Sequence, residues 1–263
     1  MWIKRNTLER RLADAMGFEY CTLFDMARRA LREIFIEGPL DIPSNVCPAL
    51  GALFPKARRT PIDIETGLAP ETAVQLYGYR QEIKGNLDLD PLMTGFLRKP
   101  SSDNSIISFG PKKMLDAGGG GALLSNEKFT GNAYFPESLR GEIEHKLADL
   151  SSHIRRQRDR IDIWDRYLGD SCVRVPQEQV MPWRVMRRIP EQPTHLGRYP
   201  FSTRNRVVQA LRDANHPVGT NYPPLPGVTD RGAIQWGKEV INFFPDWIDI
   251  PGTCEIIKRT IAA

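Results

Sequence analysis

Hydrophobic and polar positions set out the elements first. Residues 7–16 carry apolar side chains at helical spacing and predict a helix. A second helix is expected over residues 25–35, with Asp25 as a possible cap and Ala27, Ala30, Leu31 and Ile34 on one face. Residues 40–43 read as a short strand ended by proline, residues 47–54 as a helix of small residues, and residues 61–64 and 74–78 as further short strands. Residues 104–109 form a β-rich run that breaks at Gly110 and Pro111, and residues 122–126 read as its return strand. Ile143, Leu147, Leu150, Ile154, Ile161, Trp164 and Leu168 recur at steps of three, four or seven, which predicts one long helix over residues 136–168. Beyond residue 170 the pattern predicts strands within 180–189, a helix over 202–214 capped by Ser202 or Thr203, strands near 218–222 and 240–244, and a terminal helix from about 251. Strands alternating with helices give an α/β chain with covered sheet faces.

Composition narrows the class. The 263 residues suffice for one large domain, or a medium one with an appendage, and 41% apolar against 26% charged residues describes an ordinary folded protein. A net charge of +4 argues against nucleic acid, which needs a concentrated basic face. Arg155, Arg156, Arg158 and Arg160 read first as a solvated helix face with Asp159, Asp162 and Asp165 as partners. No apolar run is long enough to span a membrane, and the charged N-terminus does not read as a signal peptide. The scattered Cys21, Cys47, Cys172 and Cys254 fit free thiols in the cytoplasm, and no metal-ligand spacing is present.

The candidate chemistry lies between residues 108 and 121. A strand ends in a turn, presents the hydroxyl of Ser108, and reaches Lys113 five residues later; Gly118, Gly119, Gly120 and Gly121 follow and permit close backbone approach. A partly desolvated lysine amine becomes nucleophilic and forms Schiff bases with carbonyl compounds, pyridoxal phosphate among them. A serine at the strand end can hold a phosphate oxygen. A surface turn with two solvated lysines is the other reading of the same residues.

The segment resembles the cofactor-lysine motif of the DegT/StrS-type sugar aminotransferases, which runs S-F-x-x-x-K and then G-G-A-hydrophobic. Here Ser108, Phe109, Lys113, Gly120, Gly121, Ala122 and Leu123 stand in that order. The likeness continues along the chain in order. It includes Ala27 to Leu31, residues 41–48, residues 61–68, residues 76–78, Arg206 to Leu211, and residues 218–225. The resemblance implies a pyridoxal-phosphate enzyme of fold type I. The fold would be α/β, with a mixed, mostly parallel sheet in a shortened cofactor domain over residues 1–150. A connecting helix and a small C-terminal α/β domain would follow over 151–263. It implies transamination of a keto sugar, nucleotide-linked, by an amino donor in a homodimer. Lys113 would be the Schiff-base lysine, Ser108 and Arg28 phosphate ligands, Asp90 the partner of the pyridine nitrogen with Asp88 as the alternative, Asn132 the residue lent to the partner subunit's phosphate, and Tyr222 a substrate contact.

The departures matter too. The chain is shorter than the family's pattern, with losses before the first helix, between residues 68 and 74, and between residues 79 and 90. Met93 stands where a His or Gln packs over the ring, and Met26 and Ala27 stand where small polar residues cup the phosphate. A shortened, catalytically degenerate relative that binds a ligand or partner is therefore the second expectation.

Overall fold

The computed structural model describes residues 7–33, 41–60, 87–89 (backbone), 102–111, 113–174, 184–190, 202–220 and 223–263. Helix α1 (Leu8–Met16) begins where the Thr7 side chain accepts the amide of Arg10 at 3.3 Å. It ends at Gly17, whose φ of 74° lets the chain turn back. Leu8, Leu12 and Met16 fall one turn apart and are wholly buried, each worth about 1.5–3 kcal/mol over exposure. β1 (Tyr20–Phe24) follows, a strand that the apolar pattern did not single out, and leads into α2 (Ala27–Glu33). β2 (Asp41–Pro43), α3 (Pro48–Leu53) and β3 (Arg58–Thr60) form a small unit in which the two strands pair in parallel.

The N-terminal sheet adds β4 (Leu87–Leu89), β5 (Asn104–Ser108) and β6 (Gly121–Ser125) in the order β1-β6-β5-β4. β4 and β5 are parallel, whereas β6 runs antiparallel to both β5 and β1. The expected mixed sheet is present, and among the described strands β2–β3 and β4–β5 are the parallel pairs. The strands expected at 61–64 and 74–78 lie outside the described residues.

α4 (Arg140–Leu168) follows a 3-10 turn at Glu137–Leu139 and confirms the long periodic helix. Its first half, through Ile143, Leu150 and Ile154, shares a core with α1, β5 and β6. Its second half, through Ile161, Trp164 and Leu168, belongs to the C-terminal core. The C-terminal half comprises β7 (Val173–Arg174), β8 (Val185–Arg188), α5 (Thr203–Asp213), β9 (Val218–Thr220), α6 (Arg231–Glu239), β10 (Val240–Phe243) and α7 (Ile250–Ala262), and its core draws on β8, α5, β10 and α7. Its sheet runs β7-β8-β10-β9, every pair antiparallel. Trp164 stacks on Phe243 with centroids 4.7 Å apart, and its indole N–H donates to Pro245 O at 3.3 Å. Helix α6 was not foreseen, although Asp230 caps it by accepting the Ala233 amide at 2.7 Å.

The two parts also share a third apolar cluster. Phe24, Ile42, Val46 and Leu123 from the N-terminal half meet Met186, Leu225, Trp236 and Val240 from the C-terminal half. Buried Asn45 donates to Ala233 O at 2.9 Å, and the Leu225 amide donates to Ser44 O at 2.8 Å. All four cysteines are free thiols. Burial pushes Cys172 up to about 12 and Cys254 up to about 11, so neither supplies thiolate at neutral pH.

Candidate active site

Three segments converge at one end of the N-terminal sheet. β5 stops at Ser108, and the antiparallel register sets Ser108 directly opposite Gly121, the first residue of β6. On the other side of β6, Phe24 at the end of β1 also pairs with Gly121. The chain leaves β1 through Asp25, whose carbonyl accepts the Gly120 amide at 2.9 Å, and Met26 bridges to Gly120 in parallel. α2 thus starts against the strand pair that carries Ser108.

Glycine is required at this meeting for two different reasons. Gly120 adopts φ +92°, a conformation that side chains rarely tolerate. At Gly121 the constraint is space: a Cβ would lie 2.5 Å from both the N and the Cα of Ala27. The glycine run, which alone is a weak motif, here permits the backbone of α2 to touch the sheet.

The turn between the strands holds the lysine. The Ser108 hydroxyl oxygen accepts the Gly110 amide at 3.3 Å, and Gly110 O accepts the Lys113 amide at 3.3 Å, so two hydrogen bonds join the strand end to the lysine. Phe109, Met114 and Leu115 are buried and anchor the turn in the core, while Ser108 and Lys113 remain half-buried. Beyond the lysine, Asp116 Oδ1 accepts the Gly118 amide at 2.8 Å, and Ala117 N donates to Phe109 O at 2.9 Å.

α1 and α4 support the turn from below. Arg140 donates from Nη1 and Nη2 to the Glu9 carboxylate at 3.0 and 2.9 Å and from Nε to Glu137 at 2.6 Å. The guanidinium holds the Glu9 carboxyl below the usual carboxylate range. Nearby, desolvation pushes the Cys21 thiol far up, so it supplies no thiolate at neutral pH.

Of the residues expected at a site, the fold brings Ser108 and Lys113 into one turn and sets the start of α2, with an exposed Arg28, beside the paired Gly121. The flanking Met26 is 47% exposed and contributes no hydroxyl. Asn132 is exposed in the segment after β6. Asp88 lies on β4, opposite Ser105 of β5. Asp90, Tyr222 and Met93 lie outside the described residues. The arginine run on α4 is largely solvated as expected, but its ion pairs differ: Arg156 reaches Asp149 at 2.6 Å, and Asp165 instead serves Arg174 and Arg187 of the C-terminal sheet.

No family model matches the sequence, and no curated protein matches it either. Solved structures do match in fold. The putative sugar aminotransferase Spr1654 from Streptococcus pneumoniae, in its PMP form, superposes with a TM-score of 0.73 at 15% identity over 97% of this chain and 91% of that one. A DegT DnrJ EryC1 StrS aminotransferase from Brucella abortus gives 0.65 at 14% identity over 97% and 88%. The E. coli GDP-4-keto-6-deoxy-D-mannose-3-dehydratase with bound hydrated PLP gives 0.70 at 12% identity over 96% and 90%. The chain therefore has the fold of the pyridoxal-phosphate-dependent sugar aminotransferases, the α/β arrangement of fold type I. Among the described residues no helix is long and apolar enough to cross a membrane, and no cluster of His, Cys, Asp and Glu could hold a metal ion.

Proposed function

We propose that this chain is a pyridoxal-phosphate-dependent aminotransferase that moves an amino group from an amino donor to a nucleotide-linked keto sugar. The carrying observation is the turn that opens at Ser108 and leads through two hydrogen bonds to half-buried Lys113, in a fold whose neighbours hold this cofactor. The donor set suits the group: an amine for the aldehyde, a hydroxyl and a guanidinium for the phosphate. When bound, pyridoxal phosphate supplies an electron sink for the carbon that bears the amine.

The chain's residues divide the work. Lys113 Nζ would hold the cofactor through its aldehyde. With its amine free, Nζ would be the base that takes the proton from the donor's α-carbon. Ser108 and Arg28 orient the phosphate, and Asp90 keeps the ring nitrogen protonated. Tyr222 is assigned as a substrate contact, and Asn132 as the residue lent to the phosphate site of a second copy in a homodimer. We further propose that residues 1–150 carry the cofactor and 151–263 form the connecting helix and small domain, in a cytoplasmic protein whose four thiols stay reduced.

The test is spectroscopic. Purified protein titrated with pyridoxal phosphate gains a band near the visible edge, and Lys113→Ala loses it while keeping the fold by circular dichroism. Absence of the band in the unaltered protein rejects the proposal. A second reading, a binding-only relative, is favoured by one feature: Met26 and Ala27 place no hydroxyl at the start of α2. Glutamate separates the two. It converts the bound cofactor to its amine form in an aminotransferase and leaves the band unchanged in a binding protein.

A further inference from the structure

Lys113 sits on neither a strand nor a helix, so its amine is only as well placed as the turn over residues 109–120. The ends of that turn are fixed by the sheet: Phe109 N donates to Gly120 O at 3.1 Å and Gly120 N to Asp25 O at 2.9 Å. Between them the turn is bonded to itself, through Lys113 N to Gly110 O, Ala117 N to Phe109 O, and Gly118 N to Asp116 Oδ1. A polar contact also arrives from another element. Lys146, in the second turn of α4, donates from Nζ to Asp116 O, and Glu142 one helical turn earlier holds the same ammonium at 2.9 Å. Met114 and Leu115, the two residues between Lys113 and Asp116, are buried in the core shared with α1 and α4. A displacement of Asp116 therefore passes along a short packed stretch to Lys113.

We propose that Lys146 is a positioning residue for Lys113. Its charged hydrogen bond to Asp116 O fixes the far end of the lysine turn against α4, and Glu142 keeps the ammonium aimed at that carbonyl. An ammonium bonded to a carbonyl is stronger than a neutral pair. The inference rests on the reading of Lys113 as the cofactor lysine, and its test has a readout that needs no cofactor.

The experiment compares Lys146→Met, which keeps the aliphatic stem and removes the donor, with Lys146→Arg, which restores a cationic donor. Hydrogen exchange on the full chain reads the turn directly. Lys146→Met should exchange about tenfold faster in peptides covering 109–120, with β5 and β6 unchanged, and Lys146→Arg should return toward the unaltered rate. Condensation of Lys113 Nζ with the cofactor's aldehyde, water leaving, should slow by a similar factor in Lys146→Met when followed by growth of the visible band. Unchanged exchange in Lys146→Met overturns the positioning role, whatever the cofactor does. Unaltered protein that captures no pyridoxal phosphate overturns the reading of Lys113 instead, and the exchange data separate the two failures.

Discussion

The two four-stranded sheets use their polar residues in opposite ways. In the C-terminal sheet, charges are spent on holding elements together: Arg187 is buried against Asp165, Arg188 meets Glu239 at 3.2 Å, and Arg204 donates to Val240 O and Gly237 O. In the N-terminal sheet β1, β5 and β6 carry no charged residue, and Ser108, Lys113 and the start of α2 gather at one end of it. The first arrangement satisfies buried polar groups and gains rigidity. The second leaves a hydroxyl, an amine and a guanidinium near solvent, where chemistry is possible.

The largest effect that would break this contrast is expected at Asp165. Asp165→Asn removes the negative partner of Arg187, which is only 2% exposed, and breaks a buried ion pair from one side. A loss of about 3 kcal/mol in urea unfolding is expected, with the cofactor band per folded molecule unchanged. Next comes Gly121→Ala, at the meeting of β1, β5, β6 and α2. Its Cβ has no room beside Ala27, so α2 must move, at a cost of about 1–3 kcal/mol. Here the cofactor's affinity, measured by titration, should fall as well, which distinguishes this end of the sheet from the C-terminal one.

The smallest effect is pH-dependent. Arg140 lowers the Glu9 carboxyl below its ordinary 4.5 in the folded state. The unfolded chain therefore binds the proton first. The stabilisation is complete above about 4.5 and is lost as pH falls through the lower folded value. Both side chains are about a third exposed or less, so roughly 1 kcal/mol is expected after screening. Urea unfolding of Glu9→Gln should show a deficit near pH 7 that shrinks below pH 4. A deficit constant with pH would mean that packing, not the ion pair, holds α1 to α4.

Legibility followed the range of the interaction. Apolar residues one turn apart announced α1 and α4, and Ser202 announced the start of α5, because spacing and capping are local. β1 escaped notice because Tyr20–Phe24 is a five-residue run with no turn signal of its own, and it becomes a strand by pairing with β6 a hundred residues on. α6 was missed although Asp230 caps it, since the Pro-rich residues before it read as loop.

For the site, the sequence by itself determined the ingredients: the order Ser108, Lys113, Gly120, Gly121, and with it the resemblance that named a cofactor. Only the tertiary structure decided that Gly121 stands opposite Ser108, that the backbone of Ala27 fills the space a side chain at 121 would take, and that Lys146 of α4 reaches the lysine turn. Composition and spacing record which groups a chain owns. Register and helix packing, fixed by burial across long stretches of sequence, decide which of those groups meet.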